Sequence, residues 1–290
     1  MNENYHPFYR HSGKFGVHGP VLAILAAIVA GYPLGIIYAY LIKWIPFIYF
    51  NLFITIGYGL AFGWMTAYLL KFACVRNGPV ALLTGLGTGL CASYFSWNGY
   101  LHTLVDNPPL LITRTQLSGL MKILYQNGSW GIGFSSDSPV TGIPLAIVWI
   151  AEAGIIIGAG VFLAYGAVAH TPFCERHQCW LSEEKKIDKL DAFVLPDQIE
   201  AFKAGNIAPL EQAKPRVPAS GRFARLILRH SPQCEEFCTL SIENVSVSLD
   251  KNGKQQEKTE RLMTNLQVPK SLFDYLARFD HISAQATAAA

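Results

Sequence analysis

The chain has 290 residues, 51% hydrophobic and 15% charged, with mean hydropathy +0.26 and a formal charge of +3. A soluble domain of this length usually spends about a quarter of its residues on Asp, Glu, Lys and Arg, so an ordinary soluble globule is excluded. Six Cys and 25 Gly with 16 Pro also exclude a disulfide-dense secreted scaffold and a collagenous or disordered chain.

The averages conceal a division near His170. Residues 1–170 hold seven Lys/Arg and four Asp/Glu, whereas residues 171–290 hold sixteen of each, so the whole charge excess belongs to the first part. That part contains four apolar stretches, each long enough to cross a hydrocarbon core about 30 Å thick. They predict spans over about 20–42, 46–70, 78–102 and 141–169. A backbone in lipid must satisfy its own hydrogen bonds, and barrel-type alternation is absent, so each stretch is read as a helix. The first exceeds the h-region of about 7 to 15 residues found in a signal peptide, so it is read as a retained span. The expected fold is therefore an all-α membrane bundle of four transmembrane helices (1–170) followed by a small soluble α+β domain (171–290).

In the first span Gly31, Pro33 and Gly35 offer a kink or an interruption, a device transporters use for substrate sites, although Gly and Pro are common in membrane helices. Gly57, Gly59 and Gly63 in the second span, Gly85, Gly87 and Gly89 in the third, and Gly154, Gly158 and Gly160 in the fourth suggest close helix packing of the small-xxx-small type. Between the third and fourth spans, Leu110, Leu111, Leu117, Leu120, Met121 and Leu124 recur at helical spacing. They predict an amphipathic interfacial helix over about 109–126, with a lid over a cavity as the alternative. In the fourth span Glu152 is an ionisable residue about eleven positions in, on the order of 15 Å deep. Such a residue is a functional candidate by default. By depth, Asn98, Ser93 and Tyr94 are its conceivable partners, and the competing reading is a structural interhelical hydrogen bond.

Orientation follows from Arg10, Lys14, Lys71, Arg76, Arg176, Lys185 and Lys186 on one side, against Lys43, Arg114 and Lys122 on the other. The positive-inside rule then places both termini in the cytoplasm of a cell inner membrane, the lipid bilayer being the first partner.

After the last span, four cysteines form two close pairs, Cys174 with Cys179 and Cys234 with Cys238. In a reducing compartment stable disulfides are disfavoured, so the pairs suggest a structural zinc site in which each supplies a knuckle; His177 or His230 in place of one thiolate is the variant. Further on, Leu195–Gly205 reads as a short helix capped by Asp197, Lys214–Gly221 as a linker, and Phe223–Leu228 as a strand. Thr239–Leu249 is a strand with a bulge near Asn244, Asp250–Gly253 a turn, Glu257–Val268 a third strand, Ser271–Phe279 a helix, and Ala284–Ala290 a tail.

The four spans, the knuckle Phe173, Cys174, Glu175, Cys179 and Trp180, and the pair Trp149 and Glu152 together resemble uncharacterised multi-pass inner-membrane proteins of bacteria. The resemblance covers most of the chain and implies the same layout, with no activity to carry over. The function expected is that of a membrane-anchored interaction or regulatory protein whose zinc-stabilised cytoplasmic domain docks a protein partner. The alternative is a small transporter or channel using the buried carboxylate of Glu152. No paired acid and base, nucleophile constellation or phosphate loop points to an enzyme, and a charge-balanced soluble part does not favour nucleic acid.

Overall fold

The structure is a computed structural model, and it describes residues 7–45, 48–128, 139–213, 221–250 and 254–278. The chain divides into two compact units. Ser12–His170 form one, and Thr171–Ala290 together with the N-terminal segment ending at His11 form the other.

The first unit contains α1 (His18–Trp44), α2 (Ile48–Phe72), α3 (Gly78–His102), α4 (Arg114–Asn127) and α5 (Gly142–Ala169). All but α4 are long and apolar enough to cross a membrane. α3 packs between α1 and α5, while α2 packs chiefly on α5 and also on α1 and α3. The helices approach at small residues. A Cβ added to Gly85 would stand 2.5 Å from the carbonyl oxygen of Gly160, one added to Gly160 2.8 Å from that of Gly85, and one on Gly99 would overlap the Gly35 backbone. Gly57, Gly154 and Gly158 have nothing within 4 Å, so the glycine pattern marks an interface at some of its positions only.

α1 runs through Pro33 without interruption, and Gly31 and Gly35 serve to admit Phe95 of α3. The interruption that these residues offer in sequence does not occur, and Gly31 and Gly35 make room for the ring and backbone of Phe95.

Hydroxyl groups add directional contacts in the bundle. Tyr38 and Thr55 share a hydrogen bond of 3.0 Å between α1 and α2, and Tyr58 donates to the Ala92 carbonyl of α3 at 2.9 Å. Thr66 and Thr88 meet at 2.9 Å between α2 and α3, and the Tyr38 and Tyr58 rings stack at 4.6 Å. Lipid supplies no hydrophobic drive for association, so close packing and such bonds must hold the helices together.

α4 starts later than the leucine spacing predicts. Residues 110–112 are non-helical instead, bent at Leu110 and Leu111, and Asn98 and Tyr94 of α3 hold them. The Asn98 amide donates to Leu110 O at 3.1 Å and accepts from Ile112 N at 2.8 Å, and Tyr94 donates to Ile112 O at 2.7 Å. Thr113 then caps α4, its side chain receiving the Gln116 N–H while the Gln116 side chain receives that of Thr113. This reciprocal pairing satisfies two otherwise orphaned donors and sets the first turn.

The second unit is a small antiparallel sheet unit. A two-stranded hairpin, β1 (Phe173–Cys174) and β2 (Cys179–Trp180), precedes a four-stranded sheet in the order β3 (Glu183–Asp191), β4 (Arg222–His230), β5 (Cys238–Leu249) and β6 (Gln255–Val268). Helices α6 (Pro196–Lys203), α7 (Ala208–Glu211) and α8 (Lys270–Ala277) contribute Phe202, Leu210, Phe273 and Leu276 to the core over one face. That face alternates as strands should, with Leu226 opposite Ile242 and Leu228 opposite Leu240. The other face is laced by ion pairs, Arg225 to Asp188 at 2.8 Å, Arg225 to Glu257 at 3.0 Å and Arg229 to Glu184 at 2.8 Å.

Residues 7–9 line the free edge of β6, where Gln267 N donates to Pro7 O and Tyr9 N to Asn265 O, both at 2.8 Å. Two local readings change. The irregularity expected at Asn244 lies across the ladder in β6, where two register shifts occur opposite Leu240–Glu243 and Asn265 adopts φ 51°. Asn244 instead grips the backbone of Phe193 through both amide atoms. Asp197 is in the first turn of α6, after Pro196, and the cap position is Leu195. Residues 214–220, 251–253 and 284–290, where a linker, a turn and a tail are expected, lie outside the described residues.

Candidate metal centre

The hairpin places Cys174 and Cys179 directly opposite one another, so the six-residue segment from Cys174 to Cys179 closes on itself with Gln178 at φ 49° in the turn. The connection from β4 to β5 brings Cys234 to the same place, its N–H bound to Ser231 O at 3.0 Å and its thiol to Phe237 O at 3.6 Å. Cys174, Cys179 and Cys234 are all buried and pack together with Leu181 and Phe237. His177 completes the group: its Nδ1 is 3.4 Å from Cys174 Sγ, and ligand atoms of Cys174, His177 and Cys234 all lie within 4.8 Å of one another. These three can hold a metal ion. The Cys179 thiol is in hydrogen-bonding and electrostatic reach of both Cys174 and Cys234.

Cys238 stands apart from that group. It opens β5 with its side chain in the sheet core beside Leu240 and Ile242, although it remains within electrostatic reach of Cys234. The alternation Cys238, Leu240, Ile242 carries it inward, so strand periodicity overrides its short spacing from Cys234. His230, the other imidazole considered from sequence, pairs with Glu183 at 3.1 Å and stacks on Phe273. Of the two imidazoles named from sequence, His177 is the one that joins the group, and Cys174-Glu-Arg-His177 has the two-residue spacing of a metal knuckle inside the longer Cys-to-Cys interval.

Burial keeps these thiols protonated in the absence of a cation. Burial, with a contribution from the Cys234 side chain, pushes the Cys174 thiol up to about 12 despite opposing backbone hydrogen bonds from His177 and Arg176. Burial likewise raises Cys179, and pushes Cys238 up to about 12. Packed thiols resist becoming a cluster of thiolates, whereas a bound divalent ion deprotonates its sulfur ligands outright. Thiolate with imidazole is also the donor chemistry that zinc prefers.

The N-terminal segment buttresses this centre from outside. Phe173 N donates to the Tyr9 hydroxyl at 2.9 Å, the Tyr9 ring stacks on Phe237 at 6.4 Å, and His11 lies 6.4 Å from the Trp180 ring. Tyr9 thereby touches a neighbour of each knuckle.

Glu152 is half-buried on α5, within electrostatic reach of Tyr38. Its expected partners on α3 are engaged elsewhere in two cases, Asn98 and Tyr94 both holding the segment before α4, and no hydrogen bond joins Glu152 to Ser93. No protein-family model, curated protein or solved structure matches the chain.

Proposed function

We propose that this is a multi-pass inner-membrane protein whose cytoplasmic α+β unit is held by a structural zinc ion and serves as a docking platform for a protein partner. The convergence of Cys174, His177 and Cys234, with Cys179 beside them, carries the reading. With Cys179 as a fourth ligand beside these three, no position would be left for water or substrate, so the ion would shape the unit and leave recognition to the surface around it. The pairing of residues 7–9 with β6 supports a common side for both ends of the chain, as four spans require. The excess of Lys and Arg on that side favours the cytoplasm.

Metal analysis of the purified full-length protein tests the centre. Wild type is expected to carry close to one zinc per chain, Cys234→Ser to lose it, and Cys238→Ser to keep it. Less than about 0.2 zinc per chain in folded wild type would overturn the reading, because a structural site fills nearly stoichiometrically.

A further inference from the structure

A groove of about 560 Å³ lies where α4 meets the neighbouring ends of α3 and α5. Its origin is local. Ala146 and Ala153 both line it from α5, and their spacing of two turns leaves a hollow about 10 Å long where larger side chains would close it. Trp97 and Trp149, edge to face with ring centres 5.1 Å apart, contribute its aromatic wall. From α4 come Tyr125 and Lys122, which is exposed and forms no ion pair among the described residues.

An apolar hollow about 10 Å long with an ammonium beside it that has no ion pair among the described residues suits an amphiphile with a negative head. Sugars and other polar solutes would find almost no hydrogen-bonding groups on the floor. Amphipathic helices such as α4 lie at the headgroup level, where aromatic side chains also collect. We propose that the groove binds a phospholipid, one acyl chain lying along Ala146 and Ala153 against the wall formed by the two tryptophans and the anionic headgroup meeting Lys122. This inference rests on the membrane reading above and adds a specific lipid site to it.

The test is tryptophan quenching in the full-length chain reconstituted in phosphatidylcholine vesicles that contain brominated phosphatidylglycerol or brominated phosphatidylcholine. The signal lost on Trp149→Phe isolates the groove. That component is expected to show a preference of roughly fivefold for the anionic lipid, the factor one basic residue typically confers. Lys122→Gln, on an exposed side chain, is expected to abolish the preference, and Ala153→Leu to reduce quenching by both lipids. Excess inorganic phosphate is expected to change nothing. Equal quenching by the two lipids in wild type, a preference surviving Lys122→Gln, or displacement by phosphate would each overturn the lipid site. A chain that fails to float with vesicles would overturn the membrane reading instead, a distinguishable result.

Discussion

In the helical unit the buried positions are largely Ala, Gly and Thr, such as Ala23, Ala27, Gly85 and Thr88, while Phe53, Ile150 and Phe162 face outward. The sheet unit has the reverse arrangement, with Ile187, Leu190, Phe202 and Leu226 inside and a lattice of Arg, Glu and Asp outside. One amino-acid vocabulary thus serves two solvents. Where water surrounds the fold, volume and apolar area are best spent inside. Where hydrocarbon surrounds it, a large apolar side chain gains little by being buried, and backbone proximity is what small residues provide.

Three substitutions probe this contrast, in decreasing order of expected effect. Phe202→Ala should destabilise the sheet unit by about 3–5 kcal/mol, the range for removing a buried aromatic, as read by denaturant unfolding of the full-length protein. A loss below 1 kcal/mol would show that the sheet unit does not depend on a large-residue core. Gly99→Ala should weaken the helical unit by about 1–3 kcal/mol, because its Cβ meets the Gly35 backbone and the helices must separate. Gly154→Ala, facing open space, should be neutral or stabilising by up to about 1 kcal/mol. Similar effects at both glycines would break the argument from backbone proximity.

The smallest effect belongs to the outer face of the sheet. Burial works against the ionised Glu184, yet hydrogen bonds and charge from Arg229 and Lys186 hold its carboxyl below the usual carboxylate value. A depressed folded value means the contribution is fully present above the ordinary carboxylate range and is lost as pH falls through the folded value. Glu184 is partly exposed, so screening keeps the contribution under about 1 kcal/mol. Glu184→Gln should remove that part of the acid sensitivity of unfolding, lowering stability by under about 1 kcal/mol near neutrality and leaving it unchanged at low pH, where the carboxyl is already protonated.

The same contrast governs what was legible in the sequence. Hydrocarbon imposes a long uninterrupted requirement, so all four apolar helices can be read directly from composition. Strands β4 to β6 alternate well enough to be found. β3 is hidden because seven of its nine residues, Glu183-Glu-Lys-Lys-Ile-Asp-Lys-Leu-Asp, are charged, and its apolar residues Ile187 and Leu190 are buried. These two lie three positions apart across a register shift, so no period of two appears. Its charges are intelligible only beside Arg225 and Arg229 of the next strand. The start of α4 was missed for a similar reason. Leucine spacing continues back to Leu110, but Asn98 and Tyr94, distant in sequence, hold that segment out of the helix. At the candidate metal centre, the donor chemistry was readable, while the fold is what seats Cys238 in the sheet core and His177 beside Cys174.

The strap formed by residues 7–9 also sets a clock on biogenesis. Its partners Asn265 and Gln267 are synthesised about 260 residues later, after every helix of the bundle. At about 5–20 residues per second, the strap waits roughly 13 to 50 seconds for the strand it completes. Tyr9 can meet Phe173 and Phe237 earlier in synthesis, whereas the edge of β6 closes only after Asn265 and Gln267 have been made.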